Sequence, residues 1–193
     1  MIAYRKEKID NSICFFALEH KKKSGKILTQ TYLYKYLAFL DFLSVEKTGL
    51  PAFNLKYRAM ERGPVPISIY NRRHNLKTEF FEFRDEGENI FTIYPKKAPN
   101  LDYFSKFEID IMNKLISRYA TSYSKTDEIS DDSHKILKAW NKAYKKKKNS
   151  IIDYALTFDE GLTKKSEEDL TQAEECFLTF QALKNALKCK SVR

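Results

Sequence analysis

LTQTYLYKYLAFLDFLSVE, residues 28–46, is the stretch on which the fold turns. Leu33, Tyr36, Leu37, Leu40 and Leu43 recur at the three- and four-residue spacing of one helical face. Phe39 and Phe42 make other faces apolar too. A helix apolar on nearly every side belongs at the centre of a core. Thr29 is placed to cap its start, and Lys47-Thr48-Gly49-Leu50-Pro51 breaks it, because glycine and proline close helical runs.

Residues 10–23 (DNSICFFALEHKKK) read as a first helix, with Asp10 or Asn11 as cap and Ser24-Gly25 as stop. Residues 53–60 form a short extended segment that enters ERGPVPISIY, residues 61–70, and residues 67–74 read as a short helix after Pro66. TEFFEF (78–83) and NIFTIY (89–94), joined by Asp85-Glu86-Gly87-Glu88, read as a β-hairpin. Residues 102–121 are amphipathic, with Phe104, Phe107, Ile111, Leu115 and Tyr119 on one face. Residues 125–149 hold one or two further helices, and residues 167–189 a closing one. The expectation is a single α+β domain, mainly helical, with a small antiparallel hairpin or sheet.

The chain has 193 residues, 42% of them apolar and 14% aromatic, which suits one well-buried core. No run approaches the roughly 18 apolar residues of a membrane span, and MIAYRKEKID lacks the apolar stretch of a secretory signal. A cytoplasmic protein is expected. Cys14, Cys176 and Cys189 are unpaired in spacing and read as ordinary thiols, with neither a disulfide framework nor a zinc module. The formal net charge is +9, which raises an anionic partner. Residues 134–148 carry seven Lys and no carboxylate, while residues 159–175 carry seven carboxylates and two Lys. These blocks read as solvated faces, as partners of each other, or as a surface for an oppositely patterned protein.

Chemistry-bearing patterns are sparse. Five scattered glycines make no phosphate loop, and His20, His74 and His134 have no second ligand at metal spacing. Ser133-His134 suggests a nucleophile and base, yet neighbours on a helix point about 100° apart. The alternative is that Asp131, Asp132 or Ser133 caps the helix leading to Trp140. Gly63-Pro64-Val65-Pro66 admits two readings. It is a stiff corner, with Gly63 supplying unusual backbone geometry and Val65 plugging the core, or it is a rigid contact surface.

Residues 33–70 resemble the Panacea (SocA-like) antitoxin family, which is associated with phages and mobile elements. The resemblance rests on Tyr36, Phe39, Glu46, Thr48, Gly49, Pro51, Tyr57, Gly63, Pro64, Val65, Pro66 and Tyr70. A second signature follows in ISDDSHKILKAW, where Ser133, His134 and Trp140 match. The resemblance implies a family domain over residues 1–155 and a helical extension over 156–193. It also implies an antitoxin that binds and blocks a cognate toxin protein encoded by the adjacent gene, some relatives delivering the toxin to a protease instead. No enzyme activity, cofactor or metal is implied. Arg62, Val65, Tyr70, Arg72 and Arg73 are the expected partner contacts. Tyr57, Gly63, Pro64, Pro66, Ser133, His134 and Trp140 are expected to be structural. A nucleic-acid-binding regulator using lysines 134–148 is the alternative function.

Overall fold

The computed structural model describes residues 2–123, 126–159 and 161–190. At its centre is α2 (Gln30–Thr48), where every residue from Tyr32 to Phe42 is buried. Helices α1 (Arg5–Ser24), α4 (Lys106–Tyr119), α5 (Thr126–Ile136) and α7 (Gln172–Lys190) pack around it. The apolar band around α2 dictates this arrangement, because each face of that helix needs a neighbour to exclude water.

Two small antiparallel sheets complete the α+β domain. In the first, β1 (Leu28–Thr29), β5 (Phe91–Pro95) and β4 (Phe81–Asp85) lie in that order, with Ile93 opposite both Leu28 and Phe83. In the second, β2 (Tyr57–Met60) pairs with β3 (Gly63–Pro66) around the turn Glu61-Arg62, setting Met60 opposite Gly63. The far edge of β2 is covered by the chain at 149–152, where Ala59 N donates to Ser150 O at 2.8 Å and Ile152 N to Tyr57 O at 2.9 Å. β3 runs straight into α3 (Ile67–Arg72). A further helix, α6 (Lys138–Lys146), follows α5, and Trp140 Nε1 donates to Met60 O at 3.0 Å, tying it to the hairpin.

Several boundaries differ from the sequence reading. α1 begins at Arg5, so Asp10 and Asn11 lie inside it. Asp10 pairs with Lys6 one turn back, and the Asn11 side chain accepts from Asn100 N at 2.7 Å, so neither is free to cap. Leu28, expected within α2, pairs with β5 instead, while Thr29 stands at the expected N-cap position without a side-chain capping bond. α5 passes through Asp131, Asp132 and Ser133 without capping at any of them. Asp132 is held by Arg118 and by the Tyr119 hydroxyl at 2.9 Å. The last helix starts at Gln172, after a 3-10 turn at Glu167–Asp169, because Thr171 and Glu174 exchange reciprocal capping bonds. The hairpin strands begin two to three residues later than expected, as Thr78 bonds the amides of Phe80 and Phe81 and holds the entry as a turn.

One close approach needs a glycine. Gly49 ends α2 at φ +76°, and a Cβ there would strike Ala173 O, Phe177 N and Cys176 Cβ of α7. A buried carboxylate fixes the chain beyond it. Asp41, fully buried, accepts from the amides of Phe53, Asn54 and Leu55 and from the hydroxyls of Tyr57 and Tyr154. Burial raises its pKa against the pull of those bonds.

Cys14 is buried and Cys176 half-buried, while the Cys189 side chain lies outside the described residues. Among the described residues no ion pair joins the lysine block to the acidic block, and no helix is long and apolar enough to cross a membrane.

Candidate functional site

The site grows from the β2–β3 turn. Gly63 has φ +111°, a backbone state that side chains resist, and it sits against α2 and α5. A Cβ on Gly63 would collide with Lys35 Nζ and would lie 2.9 Å from Ser133 Oγ. The glycine is therefore the gap that an ammonium occupies. Lys35 is only 2% exposed in the second turn of the central helix, and it makes no hydrogen bond or ion pair with any described residue. Burial, with the Arg62 guanidinium as a smaller influence, lowers its pKa to about 7.

The second signature meets the first at this point. Ser133, fully buried, donates its hydroxyl to Ser130 O at 2.7 Å. The His134 ring lies flat on Trp140, with centroids 4.0 Å apart and planes within 8°. Nε2 of His134 is buried without a well-formed hydrogen bond. Burial first, then the Lys35 ammonium, lower the His134 pKa, while Asp131 and the Arg62 carbonyl oppose them. Ser133 and His134 are thus committed to α5 and to Trp140, and they do not form a nucleophile–base pair.

Outside this knot lies a pocket of about 320 Å³, bounded by Lys35, Arg62, Val65, Tyr70 and the first turn of α2. It shares Arg62, Gln30 and Thr31 with a larger hollow of about 830 Å³ on one side. On the other it shares Met60, Val65 and Tyr70 with one of about 380 Å³. Together they form a groove that follows the hairpin.

Of the expected contacts, Arg62, Val65 and Tyr70 come together in this groove. Arg62 is exposed at the turn, and Val65 is half-buried and lines the groove, so it does not plug the core. Arg72 is exposed away from the pocket, with Nε bonded to Ser68 O at 3.0 Å. Arg73 is spent internally: its guanidinium covers the Tyr70 ring at 3.9 Å and bonds Tyr70 O at 2.8 Å. Among the residues expected to be structural, Tyr57 is buried against Asp41, Pro64 and Pro66 are buried, and Trp140 is buried against the hairpin. Sequence reasoning missed Lys35. The signal was there, as a lysine within a helix apolar on nearly every side stands out from its neighbours.

A family model described as the antitoxin SocA-like, Panacea domain matches residues 33–141, more than half of the chain. The chain belongs to this family. No curated protein and no solved structure matches it. The matched span runs from the buried face of α2 to the residue after Trp140, so it contains Lys35, the hairpin and the Ser133–Trp140 knot. Among the described residues no group of His, Cys, Asp or Glu is gathered to hold a metal ion.

Proposed function

We propose that this SocA-like domain is an antitoxin that neutralises a cognate toxin protein by direct contact, and that the hairpin groove is its contact surface. The observation that carries the reading is the convergence of both family signatures on one exposed groove whose would-be catalytic residues are locked into structure. Ser133 is sealed from solvent, and His134 is stacked on Trp140. What the site offers is shape. Two prolines fix φ in β3, Trp140 clamps β2 from behind, and Gly63 lets the turn close on α2. A surface held this rigidly loses little entropy when a partner docks. The toxin would be the product of the adjacent gene, and the domain would act by occlusion or by handing the toxin to a protease. Neither route requires the domain itself to be an enzyme.

Co-expression with the neighbouring gene product should restore growth and yield a co-purifying complex. A neighbour that is harmless alone and never binds would remove the proposal.

A second reading has its own observation. Lys145, Lys146, Lys147 and Lys148 are all exposed at the end of α6, beside a hollow of about 1170 Å³ between α6 and α7. A nucleic acid held there would bind with affinity falling steeply as salt rises. Absence of any shift of a DNA fragment from its own operon, even at low salt, would dispose of it.

A further inference from the structure

Buried cations normally carry a counter-ion, because removing an ammonium from water costs several kcal/mol unless a charge or acceptors replace the solvent. Lys35 has neither. Its position is not accidental packing, since the Gly63 backbone, in a conformation that disfavours side chains, leaves the space for its ammonium. The groups that face it add no negative charge. Arg62 from the hairpin turn is a second cation, while Ser133 is neutral and bonded within its own helix. His134 has its pKa lowered, by burial first and by Lys35 second. Glu61 stands at the pocket rim but forms no ion pair with either cation.

A second feature points the same way. The pocket wall includes Gln30 and Thr31, the opening residues of the 19-residue helix α2. That helix has no acidic residue in its first turn and no side-chain cap at Thr29. Its first amides and the positive end of its dipole are therefore uncompensated by side chains. One guanidinium, one buried ammonium and one helix N-terminus thus surround a cavity of about 320 Å³. That volume takes a carboxylate on a short stem.

We infer that the Lys35–Arg62 pocket is a carboxylate-binding site that receives an acidic side chain of the protein partner. This rests on the antitoxin reading for the source of the carboxylate, while the site itself rests on Lys35, Arg62 and α2. An entering Asp or Glu would supply the missing counter-ion and form charge-assisted hydrogen bonds to Lys35 and Arg62. Lys35 is already held between Gly63 and Ser133, so it has little rotamer freedom left to lose. The lysine then favours an acidic side chain, since an apolar group placed there would strip its proton and make no charge-assisted bond.

The test has two arms. In the first, the isolated protein is titrated with glutarate while the backbone amides of Arg62, Gly63 and Tyr70 and the labelled Lys35 side chain are followed by NMR. Saturable shifts at these positions are expected, at least tenfold weaker in Lys35→Met and severalfold weaker in Arg62→Gln, whose exposed site makes misfolding no concern. Absence of saturable shifts, or the same response in Lys35→Met, overturns the inference. Binding of inorganic phosphate in place of glutarate overturns the carboxylate assignment. In the second arm, affinity for the adjacent-gene toxin is measured. Both variants should weaken it at least tenfold, and one Asp or Glu to amide change in the toxin should cost wild type dearly yet cost Lys35→Met nothing further. If both variants bind the toxin as wild type does, this inference fails and the antitoxin reading stands. If wild type binds no toxin, the antitoxin reading fails with its source of carboxylate, and the glutarate result alone decides the pocket.

Discussion

Replacing Lys35 by methionine should stabilise the free protein. The two side chains have similar length, so the gap beside Gly63 stays filled, and the buried charge disappears. Lys35 falls from the usual 10.5 to about 7. At about 1.4 kcal/mol per tenfold change in proton affinity, that corresponds to roughly 5 kcal/mol opposing the folded state where the group is charged. The fold relaxes around the substitution and admits some water, so an observed gain of about 2–4 kcal/mol at pH 6 is the expectation. The sign with pH is fixed. The folded state holds this proton less tightly than the unfolded chain, so the burden is complete below about pH 7. It shrinks between about 7 and 10.5 and vanishes above. The advantage of Lys35→Met should therefore narrow by about 2–3 kcal/mol between pH 6 and pH 9. Urea denaturation of both proteins at the two pH values measures this. The variant's midpoint should lie about 1–2 M higher at pH 6. A variant less stable than wild type at pH 6, or an advantage that does not change with pH, would refute the description of Lys35 as an uncompensated buried cation.

Gly63→Ala should lose about 2–3 kcal/mol by thermal denaturation, through positive φ and contact with the Lys35 and Ser133 side chains; an unchanged Tm would contradict the required gap. Gly49→Ala places a methyl against α7 backbone that cannot yield, and should expose α7 amides to hydrogen exchange while the α2 core stays protected. Asp41→Asn replaces one acceptor oxygen by an NH2 that faces at least two of the five donors, and should cost about 3 kcal/mol or more in chemical denaturation. Trp140→Phe keeps the ring stack but loses the bond to Met60 O, an expected loss of about 1 kcal/mol.

Much of the fold was legible because local and tertiary demands agree. The apolar run of α2 admits only a central position, and Gly25 and Gly49 stop helices where left-handed residues are needed. The family-signature residues were legible as a set, though their spatial meeting was not, since Gly63 and Ser133 are brought together only by tertiary packing. What escaped reading was decided by partners distant in the chain. β1 is two residues long and exists only because β5 lies beside it. Asp10 and Asn11 looked like caps because their chemistry is that of caps, but Lys6 and Asn100 had already engaged them. Asp41 and Lys35, the two charged residues within the buried band Tyr32–Phe42 of α2, were not singled out in the sequence. The first proved to anchor the loop after Pro51, and the second to be the charged floor of the groove. Arg73, expected as a partner contact, also packs on the Tyr70 ring, a pairing set only by the folded chain.

The most direct test is rescue of growth by wild type and by Arg62→Glu in cells expressing the adjacent-gene toxin, with pull-down of the complex. Arg62 is exposed at the turn, so its reversal changes the groove and not the core. The expected result is that wild type rescues and co-purifies with the toxin, while the folded Arg62→Glu variant does neither. Rescue by Arg62→Glu equal to wild type, or no complex with either protein, would contradict the claim that this groove neutralises a toxin by contact.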